Sequence, residues 1–364
     1  MKILHYIPGN NSMITKYVNM LVGSMGLEAE NVIVTDEAVA KEKLQTTPFH
    51  LIHIHGCWHH AAARIFSIAK KRGIRMVLSP YGQLEPWVMN ENYWKDKLPK
   101  KLLYQKSLVE QAYVLIIQGK MEEECIRNLG WNPRTEIIRN PIITNSITFT
   151  EMAQKTYYVY RKVLDSNTIE LMKPQTRVLL RCFIKAGITN DSRWVTEDLT
   201  ELTDREQWRY LQCYAHQENI TNIVMRGAHI LNYQVPDIDV YKIPCFLPYQ
   251  DATPKSIQES IGMQYASEKD RLVATFKQVR KLIQQHQFTI GHLCEIDKEL
   301  REHDVEEDHL CEALKDEKLY ATACRTMQLL TDYTGFDEGF MPMPPLNDKI
   351  TKKIHQQIYN HLKI

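Results

Sequence analysis

Short apolar runs alternate with longer stretches of helical period through the first 145 residues of this chain, and most runs end in a small or polar turn. Residues 2–7, 31–34, 51–55, 76–79, 114–118 and 136–138 predict six strands. Their near-continuous apolar character is that of strands covered on both faces. The turn at Gly9, Asn10, Asn11 and Ser12 leads into an amphipathic helix ending near Gly26. Further helices are predicted over 58–72, stopped by Gly73, over 93–111, kinked or split by Pro99, and over 121–129, closed by Gly130. Strands spaced by helices imply right-handed βαβ units and an α/β fold, a doubly wound, Rossmann-like parallel sheet.

The rhythm changes after residue 150. Helical patterns dominate at 150–164, 204–217, 256–287, 293–300, 306–331 and 347–362, and glycine falls from eight in the first 150 residues to six in the remaining 214. Proline-bearing segments at 233–251 and 337–345 read as extended loops. The expected division is therefore 1–148, a Rossmann-like domain, and 149–364, a mainly α-helical domain whose role the pattern does not name.

A chain of 364 residues, 44% apolar and 24% charged, has the composition of an ordinary globular protein. No apolar run approaches the roughly 18 residues of a membrane helix. The N-terminus is too short and too polar for a signal peptide and reads as the first strand, so the expected location is the cytoplasm. Eight cysteines are scattered without a Cys-x-x-Cys spacing, as for buried thiols in a reducing compartment. The net charge of +1 hides an asymmetry: 18 Lys and Arg against 13 Asp and Glu in residues 1–150, and 27 against 31 thereafter. A mildly basic first half suits a phosphorylated ligand or a membrane surface. No nucleic-acid motif accompanies it, so nucleic acid is not an expected partner.

Candidate chemistry gathers at the ends of the predicted strands, where an open α/β sheet places its ligand crevice. Gly9 and Asn10 follow the first strand at a helix N-terminus, without the Gly-x-Gly-x-x-Gly of a dinucleotide site. The third strand runs into His53-Ile54-His55-Gly56-Cys57-Trp58. The two histidines are read as facing opposite sides of the sheet, His53 inward and His55 toward a ligand, with Gly56 admitting close approach and Trp58 available to stack. The fourth ends in Ser79-Pro80-Tyr81-Gly82, followed by Glu85 and Trp87, and then by Lys95, Lys97, Lys100 and Lys101 on the next helix. The sixth ends at Arg139-Asn140-Pro141. His292-Leu293-Cys294-Glu295 recurs as His309-Leu310-Cys311-Glu312, but His and Cys two apart on a helix diverge, so no metal site is expected there.

Residues 53–58 and 77–87 closely resemble the acceptor-side domain of glycosyltransferase family 4, of the GT-B type, and the turn at 137–142 resembles that domain's exit hinge. The resemblance covers residues 1 to about 145. Tyr81 stands where many members have a histidine that contacts the donor sugar, and a phenol with a pKa of about 10 does not titrate near neutrality. Arg139 and Pro141 replace the hinge's first proline and its glycine. The family's second domain, with a glycine-rich turn, a cationic pair and a Glu-x7-Glu motif for the nucleotide diphosphate, has no counterpart after residue 150.

The resemblance implies a cytoplasmic glycosyltransferase-like protein of surface or capsular polysaccharide assembly, peripheral to the inner face of the membrane. His55, Tyr81 and Glu85 would line a sugar cleft, and Asn10 and Arg139 would meet phosphate. Expected partners are a sugar or glycan acceptor, a nucleotide sugar, and a membrane surface or a protein; no cofactor is expected. The alternative is a non-catalytic partner of a true transferase that binds glycan in the same crevice.

Overall fold

Six short parallel strands organise the first half of the protein in the order β2-β1-β3-β4-β5-β6. They are β1 (Lys2–Tyr6), β2 (Glu30–Val34), β3 (Leu51–His55), β4 (Arg75–Ser79), β5 (Val114–Ile117) and β6 (Thr135–Ile137). The computed structural model describes residues 1–9, 11–197, 199, 201–246, 256–262, 265–302 and 305–359. The chain steps outward from β1 to β2 and then crosses back to β3, so the strand order reverses between β1 and β3. Ligands of doubly wound sheets sit outside the C-terminal ends of the strands at such a reversal.

Helices connect the strands: α1 (Ser12–Met25), α2 (Glu37–Thr46), α3 (His60–Lys71), α4 (Pro86–Asn90), α5 (Lys120–Leu129) and α6 (Phe149–Leu164). Asn11 caps α1 by accepting from Ile14 N, and Asp36 caps α2 by accepting from Val39 N. Pro99 does not split the helical stretch 93–111. The chain widens instead into two π turns, Tyr93–Lys97 and Lys101–Gln105, around a single α turn at Leu98–Lys100. Wide turns absorb the missing donor of a mid-helix proline.

The sheet has two different faces. Leu4, Tyr6, Ile52, Ile54, Met76, Leu78 and Leu115 enter a continuous apolar core with Ala40 and Leu44 of α2 and Ala62, Ile65 and Phe66 of α3. The other face carries Ile3, His5, His53, His55 and Ser79, all buried, beneath α1 and α6. His5 is paired directly with His53 across β1 and β3. His53 and His55 thus share one face, correcting the expectation that they lie on opposite sides. The physical reason is the period of two along a strand, by which residues i and i+2 point the same way.

Contacts divide the chain into two units, Met1–Leu164 and Asp165–Ile364, so α6 belongs to the first. The second unit is built from helices Pro174–Thr189, Arg205–Gln217, Thr221–Ile230, Ile257–Ile261, Glu268–Gln284, Ile290–Glu302, Glu307–Asp316, Tyr320–Thr334 and Lys349–Tyr359. Among the described residues it contains no strand, and Phe183, Trp208, Tyr214, Phe276 and Leu293 fill its core. Gly187 and Gly227 let Pro174–Thr189 and Thr221–Ile230 cross with backbones in contact: a Cβ on Gly187 would fall on Ile223 O, and one on Gly227 on Phe183 O. Of the segment 233–251, residues 247–251 lie outside the described ones. No helix among the described residues is long and apolar enough to cross a membrane.

Candidate functional site

At the C-terminal ends of β1, β3 and β4, five described residues have positive φ: Gly9 (79°), Gly56 (108°), Trp58 (67°), Tyr81 (54°) and Gly82 (78°). The three glycines reach this region without a steric penalty. Trp58 and Tyr81 do not, and a side chain held there costs about 1–3 kcal/mol unless its surroundings over-determine it. Trp58 is fixed on several sides. Its backbone N–H donates to Gln105 Oε1 (2.7 Å), its carbonyl accepts from Tyr104 OH (2.8 Å), and its indole N–H donates to Gln83 O (2.8 Å). Lys97 Nζ lies 4.7 Å from the ring centroid. Trp58 is therefore a buried strut of the rim, only 7% exposed, and not an open stacking platform.

Tyr81 is partly exposed on the rim, and its hydroxyl reaches down to His55 Nδ1 at 2.7 Å. Its ring meets Tyr17 of α1 edge-on, centroids 5.2 Å apart. Beneath it a chain of polar groups crosses the sheet. His55 Nε2 is 3.0 Å from His5 Nδ1, and His5 Nε2 is 2.9 Å from Asn31 Oδ1. Asn31 Nδ2 donates to Ala29 O, so Oδ1 is the acceptor toward His5. With neutral rings this sets every proton: His5 donates from Nε2, His55 from Nε2 into His5 Nδ1, and Tyr81 OH into His55 Nδ1. Burial keeps the rings neutral, lowering His5 to about 4 and His53 and His55 well below the usual imidazole value, with neighbouring imidazoles adding to the shift of the latter two. His53 is held between hydroxyls, Nδ1 to Tyr160 OH at 2.6 Å and Nε2 to Ser79 Oγ at 2.7 Å.

His55, expected in the cleft, thus lies below it and meets the surface through Tyr81. His5 was not expected in the site at all, because the apolar run of the first strand conceals it. Asn10 lies outside the described residues. Gly9 approaches the exposed His59 so closely that an added Cβ would come within 3.2 Å of its Cε1. Gly56 extends the β3–β4 ladder by donating to Ser79 O at 2.7 Å.

Two carboxylates flank the turn after β4. Glu85 is partly exposed, and its carboxylate stands beside Gly82. Glu122, in the first turn of α5, is fully buried, and its Oε1 accepts from Leu84 N at 3.3 Å. Burial raises Glu122 to about 7, against the opposing pull of the Leu84 and Gly82 N–H groups, and burial also raises Glu85. Glu122 escapes sequence reading because an acid in the first turn of a helix reads as an ordinary response to the helix dipole.

Trp87 is 60% exposed on α4. Arg139 and Asn140 do not join this group: they follow β6, with β4 and β5 between them and β3. Arg139 is exposed and donates to Ser146 Oγ, while Asn140 Oδ1 closes its own turn by accepting from Ile142 N. In the second unit His292 is buried against Phe288, whereas His309 is exposed beside Glu306. That unit also holds a cavity of about 900 Å³, lined by Trp208, Tyr233, Arg205 and Glu201 among others. Among the described residues His5, His53 and His55 are the one cluster of three or more groups able to hold a metal ion. In comparisons with known proteins, no family model, curated protein or solved structure matches this chain.

Proposed function

We propose that the first unit is the acceptor-side half of a glycosyltransferase-like protein, binding a sugar or glycan on the rim formed by Gly9, Gly56, Tyr81, Gly82 and Glu85. The observation that carries this reading is the left-handed backbone of Tyr81 and Trp58 at the strand-order reversal. Strain of this kind survives where a site needs a fixed shape. Tyr81 offers a ring face on the rim, Glu85 a carboxylate within reach of a sugar hydroxyl, and exposed Trp87 a second apolar plane.

A second reading, binding without transfer, is favoured by the second unit, whose described residues form helices only. Among its described residues there is no parallel sheet of the kind that carries a nucleotide diphosphate at strand ends. On either reading the protein works at a cytoplasmic membrane surface in polysaccharide assembly. Support for that setting comes from Trp94, Leu102 and Leu103, which are 78%, 76% and 79% exposed beside the lysines of the 93–111 helix. Exposed apolar side chains beside lysines suit an anionic interface.

Thermal unfolding of the full chain with oligosaccharides, nucleotide sugars, UDP and GDP tests the reading. A saccharide should stabilise the wild type, by about 2.7 kcal/mol at a hundred times its dissociation constant, and Tyr81→Ala should abolish that gain. Free UDP or GDP should add little. Lack of response to every saccharide, or an equal response in Tyr81→Ala, would overturn it; sugar transfer to the bound saccharide separates enzyme from binder.

A further inference from the structure

We propose that His5, His53 and His55 bind one divalent transition-metal ion of the zinc class between β1 and β3. One nitrogen from each ring lies within 4.8 Å of the other two, and all three rings are buried. The inference stands apart from the sugar reading.

The contacts have the two-sided form of ligating histidines. Such a ring gives one nitrogen to the metal and donates its other N–H to an oxygen, which fixes tautomer and orientation. Here the outward contacts are His5 Nε2 to Asn31 Oδ1, His55 Nδ1 to Tyr81 OH and His53 Nε2 to Ser79 Oγ; with a metal bound, the His55 proton would move from Nε2 to Nδ1 and the Tyr81 hydroxyl would turn to accept it. The inward nitrogens His5 Nδ1 and His55 Nε2 are 3.0 Å apart, and a His53 nitrogen lies within 4.8 Å of its counterparts on both. Two nitrogens on tetrahedral zinc, each about 2.0–2.1 Å from the metal, stand roughly 3.3 Å apart, so a shift of tenths of an ångström opens the inner pair around an ion.

The fourth ligand is indicated by Tyr160, whose hydroxyl is 2.6 Å from His53 Nδ1. Tyr160 as a phenolate, or a hydroxide beside it, would offset part of the ion's charge in a site that holds no other anion among the groups named here. An imidazole set selects zinc, copper, nickel, cobalt or iron over calcium and magnesium, which require oxygen ligands. Bound there, the ion would tie β1 to β3 at the strand-order reversal, directly below Tyr81.

The test uses the full chain without a polyhistidine tag. Metal content would be measured by mass spectrometry, followed by chelation and titration with Zn²⁺ and with Co²⁺. The expected results are one ion per chain and, for Co²⁺, the intense visible bands of four-coordinate geometry. His5→Gln and His55→Gln should each abolish both. Asn31→Ala, which removes the oxygen on the outer N–H of His5 and one bond to Ala29 O on a half-buried strand, should stay folded by circular dichroism and bind about 10–100-fold more weakly. Should the histidine variants fail to fold, the Asn31 variant decides the matter. Folded wild type that takes up neither ion, histidine variants that still bind, or unchanged affinity in Asn31→Ala would overturn the proposal and leave a hydrogen-bonded network.

Discussion

The hydroxyl of Tyr81 supplies the proton that His55 Nδ1 accepts, and both groups are shielded from water. Tyr81→Phe keeps the ring against Tyr17 but leaves a buried acceptor unpaired. Chemical denaturation should show a loss of about 1–3 kcal/mol. Ile54→Asp should cost more and leave the chain unfolded, because it puts an unpaired charge into the apolar face. Glu122 gives a pH-dependent case. Its pKa is higher in the fold, about 7, than in the unfolded chain, near 4.5. Its contribution is therefore fully present below pH 4.5 and is lost as pH rises through 7. Glu122→Gln should match the wild type at pH 4.5 and exceed it above pH 7 by up to roughly 3 kcal/mol at 1.36 kcal/mol per pKa unit. Urea midpoints at the two pH values check this. A stability difference that does not change with pH would show that the carboxylate ionises freely in the fold.

At the scale of elements, the strands were legible because fully buried parallel strands are unbroken apolar runs, and all six lie within a residue or two of expectation. His53 was legible as an interior residue, and it is buried; burial at His55 was not, since a single run says that both faces are covered without saying by what. Helix α2 was passed over although Asp36 caps it, because its sequence has few apolar residues and only Ala40 and Leu44 are buried. Pro174–Thr189 and Thr221–Ile230 were also missed. Each carries an interior glycine, which weakens a helical pattern by about 1 kcal/mol in propensity. Yet those glycines are what the packing requires. Gly227→Ala would push its Cβ into Phe183 O, a backbone atom that cannot rotate aside, and should cost at least the 1–3 kcal/mol typical of overpacking. Gly23→Ala on α1, with open space around it, should cost nothing of the kind. Paired melting curves test the contrast. On the 93–111 helix, replacing Leu102 and Leu103 by Asp should reduce sedimentation with phosphatidylserine vesicles while leaving the melting temperature unchanged, since both side chains are exposed.

At the scale of the molecule, the division between Leu164 and Asp165 makes α6 the closing piece of the first unit. Composition hid this, because a helix at the start of a helical region reads as part of it. A fragment 1–164 should therefore fold with a cooperative transition, whereas 1–148, lacking Tyr160 and the cover over His53, should not. Equal cooperativity in both would show α6 to be an ornament.

Tyr160 meets His53 across 107 residues of chain. At the ~5–20 residues per second of translation, about 5–20 s separate the synthesis of β3 from that of the helix that covers it. During that interval the nascent sheet has one greasy face that α2 and α3 can already cover and one face that α1 meets but that must wait for α6. The face that waits is the one bearing imidazoles, which tolerate water and offer little to a neighbouring chain. Placing the histidines under the last helix to arrive thus lowers the hazard of aggregation while the ribosome finishes the unit.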